Sequence, residues 1–219
     1  RLLPCSPNWL NTPYMYHLLR CLPEYGIEPM ILSEGADWLS GRWILSNPDH
    51  VDILHFHWTA YHYANPIWFG SMRALLGLES RILLAKLRGF KIVWTMHNYM
   101  PHEVQHRRLT YIERFCMARL ADSIVVHCEY GKELIAQKLL RKSRVFVFPH
   151  GNFGEFLPHQ DRVEARACLG FSEDVTVLLF FGQIRAYKGL GELLRSFKEI
   201  ENDRLRLLVV GALSTEFET

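Results

Sequence analysis

Short runs of successive apolar residues alternate along this chain with longer stretches whose apolar residues recur every three or four places. The short runs are "VDILHFHW" (51–58), "KIVWTM" (91–96), "SIVVH" (123–127), "VFVFP" (145–149), "VTVLLFFG" (175–182) and "RLRLLVVG" (204–211), and "RLLP" at the start reads as the end of another. Most are apolar on consecutive residues, the pattern of strands covered on both faces. The longer stretches predict helices in "TPYMYHLLRCLPEYG", from Ile67 to Arg88, and in "TYIERFCMARLAD", "GKELIAQKLL" and "GLGELLRSFKEI". Strands that alternate with helices in this way predict a parallel, doubly wound α/β architecture.

Polar residues thicken in "PHGNFGEFLPHQDRVEARACLGFSED", which holds Pro149, Gly151, Gly154 and Pro158 before a short helical "RVEARACLG". We read a first domain over residues 1–155, a linker with a short helix over 156–174, and a second α/β unit over 175–219. Two strands and one helix are too few for a complete second domain, so the chain is expected to be a fragment of a longer protein.

Composition narrows the class. About half of the 219 residues are apolar and 22% are charged, which suits a globular core. A formal charge of +2 excludes an electrostatically driven nucleic-acid binder. Five scattered cysteines without a C-x-x-C pair fit a reducing compartment. No run of about 20 apolar residues is present to span a bilayer, and no secretory signal opens the chain. The expected location is cytoplasmic, with the inner face of the membrane as the alternative.

Open α/β sheets bind ligands beyond the carboxyl ends of their strands, and polar residues gather there. His55, His57 and Trp58 end one strand, and Thr95, His97 and Asn98 the next. His127, Cys128 and Glu129 follow the third; His150, Gly151 and Asn152 the fourth; Gly182, Gln183 and Arg185 the fifth. A competing signal is "PHEVQH", where His102, Glu103 and His106 spell the H-E-x-x-H of zinc peptidases. That chemistry needs both histidines on one buried helix. Pro101 instead puts His102 in a loop or at a helix start, Arg107 and Arg108 would face a dication, and the third ligand, Glu129 or Glu133, has no supporting context. We read the match as accidental and expect no metal and no cofactor. In "FFGQIRAYKGLGELL" (180–194) a strand enters a glycine turn at Gly182, passes Arg185 and Lys188, and starts a helix near Gly189. A helix N-terminus, a guanidinium and an ammonium together suit a diphosphate.

At these residues the chain resembles the GT-B nucleotide-sugar glycosyltransferases, in particular their family 4. "VTVLLFFGQIRAYKGLGELLRSF" is similar to that family's strand–loop–helix opening the C-terminal domain. "KIVWTMHNYMPHE" is similar to its T-x-H-N turn followed by P-H-E, and "VDILHFHW" to its D-x-x-H-x-H-W strand. "NTPYMYHLLRCLPEYGIEP" is similar to its first helix, and "VFVFPHGNF" to its interdomain passage. The resemblance runs in order over nearly the whole chain. It implies a GT-B-like fold: a Rossmann-like N-terminal acceptor-binding domain and the beginning of a Rossmann-like donor domain, with a nucleotide sugar held between them. It implies that Arg185, Lys188 and Gly182 hold the donor diphosphate. His97 would orient the transferred sugar in a retaining reaction; with inversion, His97 or Glu103 becomes the candidate base. Asn98, Glu103, His150 and Gly151 are further cleft candidates. By strand-end position, His55, His57, Trp58 and Tyr61 would line the side of a glycan, lipid-linked or small-molecule acceptor.

Two departures qualify that expectation. Many members carry a glycine-rich loop after the first strand, whereas "PCSPNWLNTPY" has no glycine, leaving Asn11 or Thr12 as substitutes. The family's paired glutamates fall beyond Thr219, so residues 1–219 alone are expected to bind donor poorly and to turn over weakly or not at all. Peripheral membrane contact is a further expectation: Arg73, Arg81 and Arg88 share one quadrant of a helix whose other face carries Trp68, Met72, Leu75, Leu76, Leu83 and Leu87. The alternatives kept open are the zinc-dependent hydrolase and a non-catalytic protein of the same fold that binds a glycan or partner.

Overall fold

Strand β1 (Leu2–Cys5) sets the topology of the first unit. On one edge it pairs in parallel with β2 (Ile53–Phe56), Leu2 opposite Ile53 and Cys5 opposite Phe56. On the other, Leu2 bridges Pro29: its N–H donates to the Glu28 carbonyl at 2.9 Å, and its own carbonyl accepts the Met30 N–H at 2.8 Å. The chain thus leaves β1 to one side and returns to the other, the reversal that defines a doubly wound sheet and its ligand crevice. β3 (Lys91–Thr95), β4 (Ser123–Val126) and β5 (Val145–Val147) add outward from β2, all parallel. The computed structural model describes residues 1–5, 12–30, 39–101, 106–154 and 159–213. It divides into two compact units, Arg1–Phe153 and Gly154–Thr219.

Alternate strand residues point to opposite faces. Leu3, Cys5, Leu54, Phe56, Ile92, Trp94, Ile124 and Val126 point into the main core, where Ile44, Leu75, Leu78, Ile82, Leu109 and Met117 meet them. These come from α2 (Gly41–Ser46), α3 (Trp68–Leu87) and α4 (Arg107–Leu120), and α5 (Glu129–Lys138) adds Ile135. Leu2 points the other way, onto Met15 and Leu19 of α1 (Pro13–Cys21). Thr12 caps α1 by accepting the Met15 N–H at 3.4 Å, and Pro13 starts it with a fixed φ. The helix expected to continue to Gly26 becomes a 3-10 turn over Leu22–Tyr25. Pro23 lacks an N–H and its ring opposes a further α-turn. α2 is too short for periodicity to reveal; Ser40 starts it by accepting the Trp43 N–H at 3.1 Å.

α3 forms where expected but faces differently. Its buried stripe is Ser71, Leu75, Leu78, Ile82 and Ala85, while Leu76, Leu83 and Leu87 are exposed. The expected apolar face is therefore split: small residues at 71 and 85 let that stripe approach the sheet, and the bulkier leucines turn outward. Two of the three arginines are engaged within the unit, Arg81 Nε donating to the Gly77 carbonyl at 2.8 Å and Arg88 Nη2 to the Leu45 carbonyl at 3.1 Å.

The second unit holds α6 (Arg162–Cys168), β6 (Thr176–Phe181), α7 (Leu190–Lys198) and β7 (Leu205–Val210), the strands paired in parallel with Thr176 opposite Leu205. The expectation that β6 is covered on both faces is not met, since Leu179 is 60% and Phe181 74% exposed. Among the described residues this unit offers only two short α-helices and the 3-10 turn Ala186–Lys188 as cover.

Glu79 on α3 is a polar group in an apolar place. Both its carboxylate oxygens are buried without a hydrogen-bond partner among the described residues. Burial, and then the negative charge of Glu113, push its carboxyl up to about 8. The folded state therefore keeps a proton that the unfolded chain releases near pH 4.5, so stability falls as pH rises from about 5 through 8. Glu79→Gln should flatten that decline and raise Tm at pH 8.5 by several degrees, at about 2–4 °C per kcal/mol. Thermal unfolding at pH 5.5 and 8.5 reads it, and an unchanged pH slope would refute it.

Candidate functional site

Histidines collect at the carboxyl ends of β2, β3, β4 and β5 because the strand register aligns them. Thr95 of β3 is opposite Val125 of β4, so two steps further along each strand His97 lies beside His127. His55 and His57 stand two apart on β2 and its exit, on the face that carries Thr95. The outcome is one continuous set of rings. His55 Nε2 is 2.8 Å from Thr95 Oγ1, His57 Nδ1 is 3.2 Å from His97 Nε2, and His97 Nδ1 is 3.3 Å from His127 Nε2. His127 Nδ1 then donates to the Phe148 carbonyl at 2.8 Å. Since a carbonyl only accepts, His127 carries a proton on Nδ1, and protons on Nδ1 of His97 and His57 let each donate to the Nε2 of the next ring.

Aromatic side chains close around this chain. Trp58 stacks on His97 with ring centres 4.4 Å apart and planes 9° from parallel. Tyr14, in the first turn of α1, sets its ring against His57, His97, His127 and His150 at 4.8–5.8 Å. Phe153 contacts both His17 and His150. Burial pushes His55 down to about 4 and His97 to about 3, with His127, His150 and His55 adding to the fall at His97. His57 is also well below its ordinary value, by burial and then by His55, His97 and His127. His55, His57 and His97 are thus uncharged imidazoles at neutral pH. A ring with so low a pKa takes up a proton poorly but still hydrogen-bonds, so His97 suits orienting a polar ligand better than general-base work.

The loops bearing Trp58 and His97 are tied together from below by α4. Arg114 Nη1 donates to Thr59 Oγ1 and to Glu113 Oε2, each at 2.7 Å, and Arg114 Nε donates to the Tyr99 carbonyl at 3.1 Å. Its guanidinium carbon lies 5.5 Å from the Trp94 ring centre. Glu113 and Arg114 are both buried. Burial pushes the Glu113 carboxyl up, with Arg114 and Thr59 pulling it back.

In the second unit, Gly182, Arg185 and Lys188 meet in one turn. Gly182 follows β6 with φ at +119°, which a side chain would resist, and a Cβ there would lie 3.0 Å from Lys188 Nζ. Arg185 Nε donates to Gln183 Oε1 at 3.1 Å, and Gly189 caps α7 at once after Lys188. Two cationic side chains therefore stand beside the start of α7, whose first turn also carries Glu192 and has no side-chain cap.

Of the other candidate residues, Thr12 caps α1, and Asn98 and Gly151 are exposed on the loops after β3 and β5. Tyr61 is 64% exposed in the 3-10 turn Thr59–His62. Asn11, His102 and Glu103 lie outside the described residues. His106 precedes α4 and its Nε2 donates to the Asn65 carbonyl at 3.0 Å, so this histidine is not within a helix as the zinc-peptidase pattern requires. Tyr14 and Arg114 were not singled out from sequence, and His127 only as a rim residue. The charged pair at 113–114, on the same helix face as Leu109, Thr110, Met117 and Ala118, was the available signal for Arg114. Removing one partner of a buried pair leaves the other charge uncompensated, at a cost of about 3–5 kcal/mol. Arg114→Met should therefore lower unfolding free energy by about that amount in urea, and the double variant Glu113→Leu/Arg114→Met should recover most of it. A fully stable single variant would remove the pair from this role.

No family model matches the chain. It is 26% identical over 213 residues to the GDP-mannose:glycolipid 4-beta-D-mannosyltransferase of Xanthomonas campestris pv. campestris, covering 96% of this chain and 53% of that protein. It is 42% identical over 82 residues to a D-inositol 3-phosphate glycosyltransferase of Nocardioides sp., covering 36% of this chain and 18% of that one. The crystal structure of Anabaena HepE in complex with UDP and glucose superposes with a TM-score of 0.61 at 12% identity, covering 99% of this chain and 62% of that one. The chain spans about half the length of the mannosyltransferase it matches. Its sequence is thus similar to glycosyltransferases along nearly all its length, and its fold is that of the GT-B glycosyltransferases.

Proposed function

We propose that the protein to which this chain belongs is a nucleotide-sugar glycosyltransferase, with Arg185, Lys188 and the Gly182 turn holding the donor diphosphate. The observation that carries this reading is the joint placement of a guanidinium, an ammonium and the start of α7 around one glycine turn. The sugar relatives and the fold shared with a UDP-bound structure support it. Preorganised cations stabilise charge as it develops on the leaving diphosphate. In this proposal His97 orients the transferred sugar, and Trp58 and Tyr14 offer flat apolar faces with polar edges, as a sugar ring with its C–H faces and hydroxyl rim requires; His55 and His57, expected from sequence to line the acceptor side, are buried and act instead by backing His97. The acceptor is a glycan or lipid-linked saccharide. Because His97 is a weak base, we favour retention. One relative is named for making a beta-mannosyl linkage, so the product's anomeric configuration has to be read directly by NMR. Neither a metal nor a cofactor has a step in this scheme.

Nucleotide release from a panel of UDP-, GDP- and ADP-sugars tests the proposal. One donor should be consumed, in EDTA as without it. Arg185→Ala and Lys188→Ala should each lower kcat about a hundred- to a thousandfold with an unchanged circular dichroism spectrum. Release from no donor, or full rates in both variants, would refute it.

Among the described residues no helix is long and apolar enough to cross a membrane. Peripheral contact is proposed instead, through the outward stripe of α3: Phe69, Leu76, Leu83 and Leu87 are exposed in line with Arg73. Vesicles with anionic lipid should carry the protein up a flotation gradient at low salt, and Leu76→Glu/Leu83→Glu should release it. Failure to float at low salt refutes the contact.

A further inference from the structure

Three ring nitrogens, one each from His97, His127 and His150, lie within 4.8 Å of one another. The residues come from the exits of three successive strands, so the backbone of a parallel sheet holds them together. His97 Nδ1 and His127 Nε2 are already 3.3 Å apart. Two nitrogens on one tetrahedral ion, each about 2.0–2.1 Å from it, stand about 3.3–3.4 Å from each other. One edge of a coordination polyhedron is therefore present at its working length. His150 is exposed, so its ring is free to close the remaining gap by a change of rotamer.

The outer contacts are those that metal-bound histidines make. His127 gives its Nδ1–H to the Phe148 carbonyl, which leaves the Nε2 lone pair pointing at the shared space. His97 has its Nε2 beside His57 Nδ1 at 3.2 Å. If the proton on His57 and that on His97 each shift from Nδ1 to Nε2, His97 Nε2–H donates to His57 and His97 Nδ1 is free to bind an ion. No proton leaves the set. The Tyr14 ring packs against all three ligands and Trp58 covers one face of His97, which holds the part-buried His97 and His127 rings in place. Three imidazoles with an open fourth position favour Zn²⁺, Co²⁺, Ni²⁺ or Cu²⁺ over Mg²⁺ and Mn²⁺, which prefer oxygen.

We propose that His97, His127 and His150 form a binding site for a zinc-class divalent ion, and that filling it withdraws His97 from the sugar. The second clause rests on the transferase reading; the first does not. An ion at this site is thus an inhibitor of transfer, distinct from a cofactor for it.

The test titrates tag-free protein with Co²⁺ and follows the visible absorption of tetrahedral cobalt, then displaces it with Zn²⁺. One ion per chain is expected, with a rise in Tm on loading. His150→Gln, at an exposed position that leaves the fold alone, should abolish the band, as should His127→Gln. His57→Gln should weaken binding about 10–100-fold as an outer contact, and His50→Gln, an exposed histidine elsewhere, should leave it unchanged. No tetrahedral cobalt band, or binding that survives both ligand variants, overturns the site. In the transferase assay Zn²⁺ should inhibit and EDTA should restore the rate. A zinc-loaded protein that transfers at full rate overturns the withdrawal of His97 while the absorption result stands.

Discussion

One buried guanidinium holds the first unit's ring-lined strand ends in order. Arg114 reaches from α4 to the backbone after His97 and to the hydroxyl beside Trp58, with Glu113 balancing its charge and the Trp94 ring against it. A charge so placed is expensive to bury, and it is offset by the three N–H groups that meet acceptors, one of them a carboxylate. The stacking of Trp58 on His97 joins two loops that belong to different strands. Without a common anchor each loop would be free to settle separately. The geometry at the strand ends is therefore a property of a helix on the far side of the sheet as much as of the residues that line it.

The strands and helices were legible because their spacing is strong. Five of the six apolar runs beyond the N-terminal one are short and continuous enough to be strands, and the sixth, "VDILHFHW", alternates His55 and His57 with Leu54 and Phe56, which already places the histidines on one face. Motif order carried the fold class. Boundaries failed where one residue overrode periodicity, as Pro23 does in ending α1, and the orientation of α3 failed because small residues at 71 and 85 decided which stripe could approach the sheet. The site was half visible. His55, His57 and His97 follow from strand ends, but Tyr14 and Arg114 act from helices, and only packing brings a helix residue to a strand end. Nor does sequence disclose that His97 and His127 are register partners, because that depends on β3 and β4 being neighbours.

The two units divide the chemistry. The first gathers rings and withholds charge: desolvation keeps His55 and His97 neutral, so hydrogen bonding and flat apolar area are what it offers. The second offers cations on a short turn beside a helix start, where strength comes from fixed charge and dipole. Uncharged hydroxyl-rich groups and phosphate anions are complementary to these surfaces in turn. A fold of paired α/β units permits that separation because each sheet presents its own row of strand ends.

The spatial order of the first sheet also matters in time. From β2 to β5 each strand lies beside the one made immediately before it, across a crossover that contains a single main helix. β1 receives the segment at Pro29 on its free edge before β2 has been made. No strand has to be inserted between two that are already paired. During synthesis the sheet can grow by accretion at one edge, and Val147 completes it before the first strand of the second unit leaves the ribosome. The ring-lined strand ends are thus assembled while the cationic turn is still unmade, and a translation pause after Phe153 would fall at the seam between the two units.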